Sequence, residues 1–231
     1  MFVLDTVSGR VRVALTDGRS TDRHADLSGE AGLAGLAEAL DTQVEDVIVM
    51  QQVHGREVAV VDRSTQRAPA PVADALVTSA PGLAVLARAA DCVPVALADP
   101  GRGMAGVVHS GRSGTAAGVV PATVAVMRAH GAVELEAWIG PRACGACYEV
   151  PADLRAEVAA AEPATWSTTR VGTPALDLAA GVRDQLRRTG VRVYDLPAEV
   201  PACTVESPDL YSYRRQGARS GRQGVVVQVL P

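Results

Sequence analysis

Among its 231 residues the chain has no lysine and no asparagine, four histidines, one phenylalanine and 3% aromatic residues in all. With all 22 basic residues being arginine, Schiff-base lysines, phosphate-loop lysines and Cys-His-Asn triads are excluded. Any anion must be held by guanidinium or by backbone N–H groups. No uncharged apolar run approaches the roughly 18 residues of a membrane span, and the opening "MFVLDTVSGRVRVALTDGRS" has no secretion-signal pattern. The net charge of −4 lacks the basic excess of a dedicated nucleic-acid or membrane-surface binder. Four cysteines in a chain without a secretion signal suggest free thiols or metal ligation more than a disulfide framework. A cytoplasmic protein acting on a small molecule is expected, as a monomer or small homo-oligomer.

What is present is an apolar content of 48%, enough for one real core, and no linker or internal repeat that divides residues 1–231. "FVLDTV" and "VRVALT" read as strands around Ser8-Gly9, and "AGLAGLAEALD" has helical spacing through Leu33, Leu36 and Leu40. Further strands are expected in "DVIVM", "EVAVVD", "ALVTS", "LAVLARA", "ELEAWIG", "VRVYDL" and "GVVVQVL". "SGRSGTAAG" opens a helix that runs to about His130, and "PADLRAEVAAAE" and "PALDLAAGVRDQLRRTG" read as helices with proline near each start. "RSTQRAPAPVAD" reads as a surface loop. Intermixed strands, hairpins and helices predict a single-domain α+β fold with mixed β-sheets flanked by helices.

One hairpin carries chemistry. If "DPGR" is a four-residue turn between strands 93–98 and 103–109, Ala98 faces Gly103 and Cys92 stands across from His109. Directly opposed Cβ atoms lie roughly 4.5–5.5 Å apart, close enough to share one metal ion. A catalytic zinc needs a third protein ligand and an open position. His54, in "MQQVHGREVAVVD" with Gly55 to turn the chain, is the candidate. Each of the three also has an ordinary reading: His54 as a hydrogen-bonded turn residue, Cys92 as a small core residue, His109 as an exposed strand end.

The residues that follow carry a resemblance. "QVHG" at 52–55, "ADALVTSAPGLAVLARAADCVPVALADP" at 73–100, "HSG" at 109–111, "GPRACGACYEV" at 140–150, "DL" at 177–178 and "CTVESPDLYSYRRQGARSGR" at 203–222 occur in the order seen in the laccase-domain family. Its members are also called YfiH-like, polyphenol oxidase or peptidoglycan editing factor proteins. The resemblance implies that His54, Cys92 and His109 surround a zinc-type metal. It also implies phosphorolysis of purine nucleosides (adenosine, guanosine, inosine, methylthioadenosine) with adenosine deaminase capacity. For some members it implies instead an amidase that edits peptidoglycan precursors. The chain departs from the family pattern where Arg112 stands in the place of tryptophan and Ser113 in the place of arginine, and its N-terminal segment hardly resembles the family's.

For that chemistry, Arg214 and Arg215 of "SYRR" are the expected phosphate clamp, with Arg112 third. Asp74, Asp91 and Glu149 are the candidate proton shuttles or partners of a histidine ring. Cys144-Gly-Ala-Cys147 lacks the strand-to-helix setting of a thioredoxin-type redox motif, so Cys147 reads as packing or pocket wall. His24 and His130 read as surface residues. A multicopper oxidase needs more imidazoles than four histidines supply, which disfavours copper relative to zinc. Three functions stay open: a metal-dependent purine nucleoside phosphorylase and deaminase, a cell-wall precursor amidase, or a non-catalytic interaction protein that holds a metal.

Overall fold

The computed structural model describes residues 2–18 and 26–231. Two β-sheets pack face to face, with helices on both outer sides. Strands β1 (Phe2–Ser8) and β2 (Val11–Thr16) form the expected N-terminal hairpin. Helix α1 follows (Glu30–Ala39), then the short strands β3 (Val47–Ile48) and β4 (Val58–Val60). Next come β5 (Ala75–Thr78), β6 (Ala84–Ala89), β7 (Val93–Asp99) and β8 (Met104–Ser110). Helices α2 (Arg112–Ala117) and α3 (Val119–Ala129) lead to β9 (Glu136–Ile139) and α4 (Ala152–Ala161). The chain ends with β10 (Trp166–Thr168), β11 (Pro174–Leu176), α5 (Leu178–Arg188), β12 (Arg192–Tyr194), α6 (Tyr213–Gln216) and β13 (Gln223–Val229).

One sheet has the order β1-β2-β13-β6-β3 and the other β12-β9-β7-β8-β5-β4; β10 and β11 pair separately. The β3–β6, β4–β5 and β9–β12 pairs are parallel and the rest antiparallel, so the sheets are mixed as expected. Strand alternation divides the core into three layers. Val13, Val85, Val107, Val227 and Trp138 fill the space between the sheets. Val95, Leu97 and Val108 face outward, under Val120, Val124 and Met127 of α3 and Val182 and Leu186 of α5. On the opposite side Leu36 and Leu40 cover Leu86 and Val226.

Three expectations need correction. The β7–β8 turn is later than "DPGR": Asp99 pairs with Met104, so His109 faces Pro94 and Cys92 lies just before the strand. Both registers fit the Gly- and Pro-containing sequence, and the structure adopts the one with a Pro100–Gly103 loop. The helix opened by "SGRSGTAAG" is two helices, because Gly118 adopts a left-handed conformation (φ 77°) and interrupts the hydrogen-bond ladder. Pro174 starts strand β11 rather than a helix; α5 begins at an Asp177 cap whose carboxylate accepts the Ala180 N–H at 2.9 Å.

The outer layer supplies a stability test. Leu97 is fully buried between β7 and the helices, whereas Val171 is 82% exposed. Leu97→Ala is expected to lose about 2–5 kcal/mol in urea unfolding, through lost burial and a residual cavity. Val171→Ala should stay within about 0.5 kcal/mol of the parent.

Candidate metal centre and cavity

Two connecting segments and one strand end bring the candidate ligands together. His54 comes from the β3–β4 connection, Cys92 from the bend between β6 and β7, and His109 from the end of β8. One ligand atom from each lies within 4.8 Å of the other two. Burial is graded, from buried His109 through Cys92 to exposed His54, so the cluster opens to one side.

Asp74, fully buried just before β5, organises this group. Its carboxylate accepts the backbone N–H groups of Val53 (3.2 Å), His54 (3.0 Å) and Gly55 (2.7 Å). It also meets Nδ1 of His109 at 2.8 Å. The turn at QVHG is therefore made by His54 itself (φ 61°), and not by Gly55 as its sequence position suggests. With Nδ1 engaged by Asp74, His109 turns its remaining nitrogen toward Cys92, the second-sphere arrangement that orients metal-binding imidazoles. Ser113, where the family pattern has arginine, donates its hydroxyl to the His54 carbonyl at 3.0 Å. Gly111 admits both ligands: a Cβ there would come within 2.8 Å of the His54 ring and 3.2 Å of the Cys92 sulfur.

The charges fit a cation. Burial by itself pushes the Cys92 thiol up, but hydrogen bonds from His109 and His54 outweigh it and hold the thiol down at about 6. Burial opposes charge on His109, but its bonds to Asp74 and Cys92 raise it to about 9. Asp74 loses solvation, yet its His109 and Gly55 contacts keep it below the ordinary carboxylate range. A thiolate and two imidazoles, one steered by a buried carboxylate, form a donor set suited to a zinc-type ion with a position left open.

The cluster forms one wall of a cavity of about 1230 Å³. Arg88, Arg214, Arg219 and Arg222 line it together with Tyr148 and Tyr213. The Arg214 guanidinium lies 4.4 Å above the Tyr148 ring. Arg88 is lowered by burial and then by the charge of Arg222, so cationic charge is concentrated around the space. Asp91 also reaches the cavity, but both its oxygens are engaged, one by the Thr204 hydroxyl (2.6 Å) and the other by the Arg214 N–H (2.7 Å). Through these bonds it holds the φ 89° bend before Cys92 and the start of α6.

Other expected residues lie elsewhere. Arg215, expected in the phosphate clamp, donates to the carbonyls of Ser207 and Leu210 and lies outside the cavity lining. Glu149 is exposed, its backbone bridged to Ala175, and it too lies outside the cavity lining. Arg112 opens α2 close enough to influence Tyr148 electrostatically, without lining the cavity. His130 is exposed and His24 lies outside the described residues. Arg88, Arg219 and Arg222 were missed by motif reading. Arg88 had left a signal, as the one charge in the otherwise apolar "LAVLARA".

Comparison with known proteins shows the family and the fold. Residues 19–230 match the family described as multi-copper polyphenol oxidoreductase laccase, and the chain belongs to that family. It is 50% identical over 192 residues to the purine nucleoside phosphorylase SCO2081 of Streptomyces coelicolor, covering 82% of this chain and 78% of that protein. It is 44% identical over 194 residues to the purine nucleoside phosphorylase Rv2149c of Mycobacterium tuberculosis, covering 83% and 76%. Among solved structures, YlmD from Geobacillus stearothermophilus superposes with a TM-score of 0.81 at 27% identity, covering 96% of this chain and 93% of that one. YfiH from Bacillus licheniformis shares the fold, with a TM-score of 0.79 at 23% identity over 95% and 92% of the two chains.

Two outcomes are expected. Asp74→Asn should weaken metal binding about 10–100-fold in competition with a chelator, because it disturbs the His109 tautomer and the His54 turn together. In metal-free protein Cys92 and His109 form a thiolate–imidazolium pair between about pH 6 and about pH 9. Metal must expel that proton, so affinity should rise about tenfold per pH unit across this window and more steeply below it, as read by zinc titration of chelator-stripped protein.

Proposed function

We propose that this chain is a metal-dependent purine nucleoside phosphorylase, with zinc as the metal and adenosine deamination as a second capacity. The observation that carries the reading is the convergence of His54, Cys92 and His109 on the wall of a cavity that four arginines line. The relatives named purine nucleoside phosphorylase support it at up to 50% identity. The oxidase in the family's description finds no support in four histidines, of which the cluster uses two.

Phosphorolysis joins a phosphate oxygen to the ribose C1′ while the bond from C1′ to the purine nitrogen breaks. Arg214, steadied by Tyr148 and by the Asp91 hold on its backbone, binds the phosphate, with Arg88, Arg219 and Arg222 completing the cationic wall. Tyr213, 55% exposed at the cavity, offers an aromatic face to a base. In deamination, water adds at C6 of the purine and ammonia leaves. A zinc-type ion held by His54, Cys92 and His109 supplies Lewis-acid polarisation and water activation. Asp74 keeps His109 oriented, and the Asp91 hydrogen bonds keep Cys92 in place.

Incubating the purified protein with adenosine and phosphate should release adenine with ribose 1-phosphate, and inosine in smaller amount, resolved by chromatography. His54→Ala should reduce both to background; unchanged turnover in that variant would overturn the reading. Arg214→Ala should raise the phosphate KM about 10–100-fold, the loss of one charged contact. Release of amino acid from a UDP-muramoyl substrate, with no nucleoside turnover, would transfer the site to the amidase class.

A further inference from the structure

A second group of donors lies outside the cavity lining. Cys144, Cys147, Cys203 and Glu206 each place a ligand atom within 4.8 Å of the other three. Cys203 is buried, Cys144 and Cys147 are half-buried, and Glu206 is at the surface. The Cys147 thiol meets Glu206 Oε1 at 3.3 Å. Metal–sulfur bonds of about 2.3 Å in a tetrahedron place sulfurs about 3.8 Å apart. Movements of about 1 Å or less in these side chains would close the group around one ion.

The backbone is shaped for this. Cys144-Gly-Ala-Cys147 folds as a tight turn in which the N–H groups of Cys147 and Tyr148 both donate to the Cys144 carbonyl at 2.9 Å. Position 145 admits no side chain, since a Cβ would come within 2.6 Å of Ser167 Oγ and 2.8 Å of Asp177 Cβ. The other arm is fixed by a bridge between Arg142 and Cys203, with Arg142 N–H on the Ala202 carbonyl (2.9 Å) and Thr204 N–H on the Arg142 carbonyl (3.0 Å). Arg170 pairs with Glu206 and reaches the Cys147 sulfur at 3.6 Å. Three thiolates and a carboxylate leave a dication with two excess negative charges, and Arg170 offsets one of them.

We propose that Cys144, Cys147, Cys203 and Glu206 form a second, structural site for a divalent metal of the zinc class. It clamps the 140–150 loop to the segment that begins at Cys203. Both segments back the cavity: Tyr148, next to Cys147, lies beneath Arg214, and Thr204, next to Cys203, holds Asp91. The closed donor set, all four positions filled by protein, suits a structural ion, whereas the first cluster leaves a position open.

Elemental analysis of protein purified under reducing conditions tests this without depending on activity. The His54→Ala/Cys92→Ala variant should retain one equivalent of zinc per chain, and Cys144→Ser/Cys147→Ser should lose that equivalent. Failure of the first site alone would give one equivalent in the parent, kept in the former variant and lost in the latter. Cobalt loaded into His54→Ala/Cys92→Ala, whose remaining thiols are the three in question, should show an intense near-ultraviolet sulfur-to-metal band. Glu206→Gln, a surface change that leaves every thiol in place, should weaken retention at least about tenfold in chelator competition. A metal-free His54→Ala/Cys92→Ala protein with native circular dichroism would overturn the proposal. So would a peptide map of chain isolated without reductant in which two of these thiols, lighter together by two hydrogen atoms, are joined as a disulfide.

Discussion

The buried carboxylate of Asp74 is the contact on which the centre depends. It accepts three consecutive backbone N–H groups of the QVHG turn and the Nδ1 position of His109. A non-glycine residue in the left-handed region costs about 1–3 kcal/mol, which His54 incurs. Each hydrogen bond to a charged group is worth about 1.5–3 kcal/mol, so the three N–H contacts outweigh that strain. The same anion selects which nitrogen of His109 faces Cys92. One side chain thus sets the direction of two ligands that are far apart in the chain, and its own ionisation is secured by the groups it orders.

The local field differs from the global one. The chain carries a net charge of −4, yet four arginines line the cavity that His54, Cys92 and His109 also border. Such a concave cationic surface, with two tyrosines among its walls, favours a small anion accompanied by a planar group. Net charge therefore does not describe the field at the site.

Much of the fold was legible because the core strands are apolar runs with clear turn signals. The β7–β8 register differed from expectation by two residues, an even slip that leaves every side chain on its expected face. That is why an incorrect turn still led to Cys92 and His109. The arginines were harder to assign. "SYRR" offers two neighbours, and only the placed side chains show Arg214 over Tyr148 and Arg215 spent on the carbonyls of Ser207 and Leu210. The grouping of Cys144 and Cys147 with Cys203 had no local signature either, since the segments meet through an isolated bridge between Arg142 and Cys203.

The missing asparagine acquires a structural meaning around the cavity. Loop N–H groups there need side-chain acceptors, and aspartate provides them. Asp26 accepts the N–H of Arg222 at 2.9 Å, Asp74 that of His54 and Asp91 that of Arg214. Each of these carboxylates grips the backbone of a residue whose side chain lines the cavity. Charge-assisted bonds of this kind are roughly twice as strong as those an amide oxygen would make. They also bring negative charge close to an arginine cluster that would otherwise repel itself. The aspartates near the cavity thus act first through the backbone, holding cation and ligand side chains at fixed angles. Asp74 and Asp91, two of the three carboxylates that the sequence offers for acid–base work, therefore have oxygens engaged by these loops, whereas the exposed Glu149 does not share the arrangement.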